Sequence, residues 1–387
     1  MKKLLLTLIA GLLPLTTLAQ SAPAQTPAVA AAQMPVPPTV AARAWIVYDV
    51  SANQILASSN PDQIVEPASL TKLMTAYVVF NALKNKSISN DQLVTASEKA
   101  WRTGGSRMFI DIRKPVSVSD LIHGMIIQSG NDACIALAET VAGTEERFVG
   151  MMNREAQRLG LKATKFTNTT GLTEPGHTTS VRDLVNLSAA LIRDFPEYYP
   201  IYSKRDFTYN NIKQENRNRL LWTDPSVDGM KTGHTDAAGY NLVASAKRGP
   251  RRLISVVTGT TSESARAQES QKLLNFGFQA WDAVKLYGAN QPVKEFEVWK
   301  GAERQLKVGF RNDFVVAVPR DLANALAVQL ESRQPLIAPV KSGDRVGTLK
   351  LTLAGQSLGE YPVVALQDVA PAGIFRRAWD SIRLMLK

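Results

Sequence analysis

The 387-residue chain contains a single cysteine, Cys134. One thiol excludes an intrachain disulfide and any thiolate metal cluster. Three histidines, His123, His177 and His234, leave little material for a zinc site, and no H-E-x-x-H pattern occurs. The expectation is a protein that works without a metal or another cofactor. A Walker A loop and a dinucleotide-binding fingerprint are both missing, which removes support for the nucleotide-binding classes. No internal repeat is found. What remains is a globular composition, 45% hydrophobic and 20% charged, with a formal net charge of +11. At about 150 residues per domain the length allows two or three domains.

Both ends of the chain carry signals. Met1-Lys2-Lys3 precedes an apolar run from Leu4 to Leu18 that closes on Thr17-Leu18-Ala19, a small-residue cleavage pattern. A basic start, a short apolar core and a small exit describe a secretory signal peptide over 1–19. The core is short for a membrane span of about 20 residues. Residues 20–43 are rich in Ala, Pro, Gln and Thr and read as a flexible leader. At the other end, Pro371-Ala372-Gly373 breaks the chain before Ile374. Apolar residues at 374, 375, 378, 379, 382, 385 and 386 then form a helical stripe, with Arg376, Arg377, Asp380, Arg383 and Lys387 mostly opposite. A cationic amphipathic helix over 371–387 is too short and too charged to span a bilayer, and it suits an anionic membrane surface.

Between these ends, two textures follow one another. Residues 44–285 begin with a hairpin signal at Ala44–Ser58 and continue as helical segments, among them Ser69–Leu83 and Leu121–Val141. Strands at Tyr240–Lys247 and Arg252–Thr258 and a helix from about Ser264 to Trp281 complete the region. Strands at both ends with helices between them predict an α/β domain with a mainly antiparallel sheet. Residues 290–369 are short alternating runs separated by turn signals, which predicts a small all-β domain.

The chemistry-bearing residues are few. Ser69-Leu70-Thr71-Lys72 is the only S-x-x-K in the chain and stands where a helix starts. A serine hydroxyl becomes a good nucleophile only when a base takes its proton. An amine one helical turn away reaches it, provided burial or neighbouring cations depress its pKa. Ser129-Gly130-Asn131 interrupts an apolar helical region, and Lys231-Thr232-Gly233-His234 precedes the strand at Tyr240. Each pattern is weak alone: Ser51-Ala52-Asn53 also matches the second and Lys341-Ser342-Gly343 the third. The information is in all three together, in this order, in one exported domain.

In the contexts Glu66–Lys72, Ile127–Ala133 and Asp228–Ser245 the chain resembles low-molecular-mass penicillin-binding proteins, the D-alanyl-D-alanine carboxypeptidases of the penicillin-binding protein 5/6 type. The resemblance covers nearly all of the chain after the signal peptide. It implies a β-lactamase/transpeptidase-like catalytic domain and removal of the terminal D-alanine from peptidoglycan pentapeptide stems. It also implies acylation by β-lactams and a place on the periplasmic face of the bacterial cytoplasmic membrane. In that family's terms Ser69 is the nucleophile, Lys72 the general base, Ser129 a proton relay and Asn131 a clamp on Lys72 and the substrate amide. Lys231 and Thr232 of the Lys231-Thr232-Gly233 motif receive the terminal carboxylate, and the N–H groups of Ser69 and His234 form the oxyanion hole. Arg217 and Arg266 are candidate carboxylate clamps. His177 shapes a loop at the cleft edge, while His123 and Cys134 read as structural. Three competing readings stand beside this one: a β-lactamase, a D,D-endopeptidase that cuts cross-links, and a membrane-held sensor that binds peptidoglycan or β-lactams without turnover. A nucleic-acid partner has no support, because the basic excess is divided among the signal peptide, the terminal helix and the motif lysines.

Overall fold

A computed structural model describes residues 34–353 and 355–386; the expected signal peptide and the leader before Met34 lie outside the described residues. Along the chain, β1 (Ala44–Asp49) and β2 (Gln54–Ser59) lead through a 3-10 turn, Ala68–Thr71, into α1 (Lys72–Lys84). Then come β3 (Leu93–Val94), α2 (Glu98–Arg102), β4 (Val116–Ser117), α3 (Val118–His123), α4 (Asn131–Ala142), α5 (Glu145–Arg158) and α6 (Val181–Asp194). The region closes with β5 (Asp206–Tyr209), β6 (Ile212–Glu215), α7 (Leu220–Thr223), β7 (Val227–Thr235), β8 (Gly239–Arg248), β9 (Arg251–Thr260) and α8 (Glu263–Ala280).

The main sheet has five strands in the order β2-β1-β9-β8-β7, every neighbouring pair antiparallel. Residues of β1 are buried at all six positions, as befits a strand covered on both faces. One face carries α8, whose Leu273, Leu274 and Phe278 pack with Val47, Leu242 and Leu253. The other face carries the helical layer around α1. Lys72–Lys84 is apolar nearly all round and almost wholly buried, the signature of a helix at the centre of a core rather than at its surface. Ser97, Ser117, Thr144, Ser180 and Ser262 each accept a backbone N–H at the start of α2, α3, α5, α6 and α8.

The Lys231-Thr232-Gly233 motif precedes the strand at Tyr240, as expected, but Val227–Thr235 is itself a strand that sequence analysis did not mark, paired with β8 from Val227 to Thr235. Its two glycines and its polar run give little intrinsic strand signal, so pairing and burial decide its conformation. It is also an edge strand.

The C-terminal β domain comprises β10 (Trp281–Tyr287), β11 (Pro292–Trp299), β12 (Gln305–Gly309), β13 (Phe314–Pro319), β14 (Leu326–Ser332), β15 (Leu336–Ile337), β16 (Arg345–Leu353) and β17 (Gln356–Ala365). Six strands form one sheet, β14-β16-β17-β12-β11-β15, and β10 pairs with β13. Phe296, Val308, Leu349, Leu351 and Val363 lie in its core. The Gln54 carboxamide bridges this region to the first, donating to the Ala317 carbonyl and accepting from its N–H, both at 3.2 Å.

The chain ends in α9 (Ile374–Met385). Its polar side is docked: the buried Asp380 carboxylate accepts from Lys300 N–H at 2.7 Å, Arg376 donates to the Ala302 carbonyl, and Arg383 lies over the Trp299 ring. Its apolar side points outward, with Phe375 93% and Met385 85% exposed.

One buried carboxylate holds the segment in front of α4. Asp132 accepts from the N–H groups of Met108, Phe109, Ile110 and Ala133 at 2.9–3.2 Å. Removing it leaves buried N–H groups unsatisfied, at about 1–3 kcal/mol for each that water does not reach. Asp132→Ala is therefore expected to destabilise the protein by about 3 kcal/mol or more in urea unfolding, while an exposed control such as Asp236→Ala stays within about 0.5 kcal/mol.

Candidate active site

The start of α1, the turn before α4 and the edge strand β7 meet at one cleft of about 440 Å³. Ser69 sits in the 3-10 turn that opens onto Lys72, the first residue of α1. Ser129 follows a π-helical turn, Gly124–Gln128, and has a left-handed backbone with φ of 68°. That turn breaks the apolar segment where sequence analysis placed a break, and it presents Ser129 and Asn131 to the cleft. Thr232, Gly233 and His234 come from β7.

Two glycines allow the close approach of these elements. A Cβ on Gly233 would stand 3.0–3.2 Å from Pro67 O, Leu70 N and Ser69 N, so β7 lies directly against the Ser69 turn. A Cβ on Gly171 would fall 1.8 Å from Ala68 O, and this residue has φ of 83° besides.

Lys72 is the centre of the polar network. Its side chain is buried, with Nζ 3.0 Å from Ser69 Oγ, 2.8 Å from Asn131 Oδ1 and 2.6 Å from the Thr170 carbonyl. Asn131 is oriented in turn by donating from Nδ2 to the Gly104 carbonyl at 2.7 Å. Thr75 donates to the Thr169 carbonyl, and Glu145 accepts from Thr169 N–H and hydroxyl, which fixes the Thr170 segment. Burial holds the Lys72 pKa below its ordinary value, and the Arg217 cation lowers it further. Burial likewise pushes the Lys231 amine well below its ordinary value, with the charges of Lys72 and Arg217 adding to the effect. Among the described residues, the one hydrogen bond from Lys231 Nζ goes to the Thr232 carbonyl, at 3.1 Å. Burial raises the nearby Cys134 thiol to about 12, so it is neutral at physiological pH.

The remaining residues sort clearly. Arg217 and Arg266 both line the cleft. Arg217 is exposed, and no ion pair holds it among the described residues. Arg266 is buried beside Tyr240 and pairs with Glu263 at 3.2 Å. His234 is exposed and stacks on Tyr240 at 4.0 Å. Ser129 Oγ is buried and has no hydrogen-bond partner among the described residues. His177 braces the Ser69–Thr71 turn from behind: its Nδ1 accepts from Thr167 N–H at 3.0 Å, so Nε2 carries the proton and donates to Thr71 Oγ1 at 2.7 Å. Burial pushes its pKa down to about 4. His123 is remote from this cleft and bonds Ser119 and Lys204. Sequence reasoning missed the Thr170 carbonyl, Gly105, Ser106, Tyr240 and Glu263. None carries a motif, and the Thr170 contribution is a backbone atom that any residue type supplies.

Comparison with known proteins identifies the family and the fold. Residues 30–262 match the family described as D-alanyl-D-alanine carboxypeptidase, and residues 281–371 match the penicillin-binding protein 5 C-terminal domain. The chain is 44% identical over 365 residues to the D-alanyl-D-alanine carboxypeptidase DacC of Escherichia coli, covering 92% of this chain and 91% of that protein. It is 42% identical to DacA of Haemophilus influenzae over 91% of each chain. The crystal structure of penicillin binding protein 5 from H. influenzae superposes with a TM-score of 0.83 at 42% identity, covering 87% of this chain and 99% of that one. Penicillin-binding protein D2 of Listeria monocytogenes in its ampicillin-bound form covers 62% of this chain and 98% of its own, with a TM-score of 0.58 at 34% identity. The chain thus belongs to the D-alanyl-D-alanine carboxypeptidase family, serine peptidases of the low-molecular-mass penicillin-binding type that carry a C-terminal β domain.

Proposed function

We propose that this carboxypeptidase removes the terminal D-alanine from peptidoglycan pentapeptide stems through an acyl-enzyme on Ser69, and that β-lactams acylate the same hydroxyl. The observation that carries the residue roles is the set of three contacts around Lys72 Nζ. A neutral amine has two N–H donors and one lone pair. Asn131 Oδ1 and the Thr170 carbonyl accept the two N–H bonds, which leaves the lone pair for the Ser69 hydroxyl. Burial favours that neutral form.

The reaction then follows. Ser69 Oγ attacks the carbonyl of the penultimate D-alanine while Lys72 takes the hydroxyl proton. The N–H groups of Ser69 and His234 receive the developing oxyanion. As the C–N bond breaks, the leaving amine takes a proton delivered through Ser129, whose buried hydroxyl has no competing partner. Water, activated by Lys72, releases the acid and restores Ser69. The terminal carboxylate sits against Lys231, Thr232 and Arg217, with Arg266 behind it. Its negative charge keeps Lys231 protonated when the substrate binds, so one anion resolves the conflict between two buried amines. The outer edge of β7 offers unpaired backbone groups to an extended peptide, while His234 and Tyr240 flank its path.

The export signal and the outward apolar face of α9 support a peripheral place on the periplasmic face of the cytoplasmic membrane. No described helix is long and apolar enough to cross a bilayer. The cationic flanks of α9 suit anionic lipid.

Ser69→Ala should abolish both D-alanine release and covalent labelling by penicillin, with an unchanged circular dichroism spectrum; residual labelling would refute the assignment. Arg217→Gln removes a cation that lowers the Lys72 pKa. Because the neutral amine is the active form, the acid limb of the kcat/KM profile should move to higher pH. KM for a carboxylate-ended peptide should rise about tenfold or more as a charged hydrogen bond is lost. Deleting residues 374–387 should free the protein from phosphatidylglycerol-containing vesicles in a sedimentation assay and leave D-alanine release from a soluble peptide within about twofold.

A further inference from the structure

Arg217 lines the cleft without an ion pair among the described residues, so no partner at its guanidinium end aims it. The residues on either side are its opposites. Asn216 is 4% exposed and Asn218 1%. The alternation of buried, exposed and buried across 216–218 sends the two amides inward and Arg217 outward. Asn216 anchors one flank. Its N–H donates to the Arg205 carbonyl at 2.7 Å and its Nδ2 to the Lys204 carbonyl at 3.0 Å, while its Oδ1 accepts from Asn218 N–H at 2.9 Å.

Asn218 reaches further. Its Oδ1 accepts from Leu220 N–H at 3.2 Å, and its Nδ2 donates to the Gly229 carbonyl at 2.9 Å. One donor and one acceptor as partners fix which end of the amide is which. Gly229 belongs to β7 and stands two residues before Lys231. The bond therefore joins the segment of Arg217 to the strand that carries Lys231 and Thr232. Strand pairing does not make this link, since β8 is the one neighbour of β7 in the sheet among the described residues. The same end of β7 is pinned at the adjacent residue: Asp228 pairs with Arg252 at 2.6 Å and accepts from the Tyr199 hydroxyl at 2.8 Å. Asn218 thus ties Arg217 to a fixed point.

We propose that Asn218 is a positioning residue for carboxylate recognition: its bond to Gly229 holds Arg217 at the spacing from Lys231 and Thr232 that one carboxylate spans. Groups that share a single small anion must all stand within hydrogen-bond reach of its two oxygens. A displacement of about 1 Å at a positioned group can cost about 10²-fold in rate. An arginine side chain is long and rotamer-rich, so without a partner of its own it depends on its backbone for aim. Asn218 itself touches neither the substrate nor Ser69. The inference rests on the carboxylate-binding role given to Arg217 under Proposed function, and it adds the residue that enforces that role.

The test uses the full chain with two acyl donors. One is a soluble peptide ending in D-Ala-D-Ala. The other is the p-nitrophenyl ester of the same peptide shortened by its last D-alanine, whose leaving group has no carboxylate. Asn218→Asp keeps an oxygen for Leu220 N–H but sets a second acceptor against the Gly229 carbonyl. Asn218→Ser keeps a local hydroxyl acceptor and stops short of β7. Rates are taken per active site, counted by exhaustive penicillin labelling, so an unfolded fraction does not enter the comparison. Both variants should raise KM for the peptide about tenfold and hold ester hydrolysis within about twofold. In the Arg217→Gln background the same substitutions should add less than about twofold, since a residue that acts through Arg217 then has nothing to position. Equal losses on peptide and ester, or a full additional loss in the absence of Arg217, overturn the positioning role. So does an unchanged KM in both variants. An unchanged KM in Arg217→Gln alone overturns the carboxylate clamp on which the inference rests.

Discussion

Two lysine amines, Lys72 and Lys231, are buried at one site with no carboxylate paired to either Nζ among the described residues. Charged amines in such surroundings cost several kcal/mol each, and two of them repel. The protein relieves this in part by neutral hydrogen-bond acceptors, the Asn131 carboxamide and the Thr170 carbonyl, and in part by depressing the pKa values. What is left is an electropositive cleft with a buried amine of lowered pKa beside a serine. In the mechanism proposed above, binding of the substrate carboxylate and activation of Ser69 arise from the same electrostatic imbalance.

Keeping that imbalance requires rigid surroundings, and the fold supplies them through close backbone approach. Gly233 brings β7 onto the turn of Ser69, and Gly171 brings the Thr170 carbonyl segment onto Ala68. Asp132 ties four N–H groups across the start of α4, beside the residue that orients Lys72. His177, neutral because it is buried, braces Thr71. None of these groups reacts, yet each limits how far Lys72 Nζ can move from Ser69 Oγ.

The far end of the molecule solves a different problem. The α9 helix docks by its polar side, through Asp380, Arg376 and Arg383, and leaves its apolar side unpaired. This inverts the usual arrangement of a surface helix, whose apolar stripe faces the core. Exposed Phe375 and Trp379 have an unfavourable contact with water that the membrane binding proposed above would remove.

Much of this was legible in the residues. The serine–lysine turn, the polar interruption at 129–131 and the Lys231 motif were recognisable because helix spacing and broken periodicity are local properties. The α/β region, the β domain and the terminal helix followed from hydrophobic periodicity for the same reason. The strand nature of Val227–Thr235 was not legible, since glycines and polar residues adopt it only when β8 pairs alongside. Nor could spacing reveal Thr170, Glu263 or Tyr240, or choose Arg217 and Arg266 from 45 basic residues. The amino-acid sequence by itself determined which reactive groups exist and which local structures carry them. Only the tertiary structure decided that Lys72 is buried against neutral acceptors, that Arg217 faces the cleft, and that Asn218 ties its segment to β7. Desolvation and convergence are properties of groups brought together from distant parts of the chain, and no local pattern encodes them.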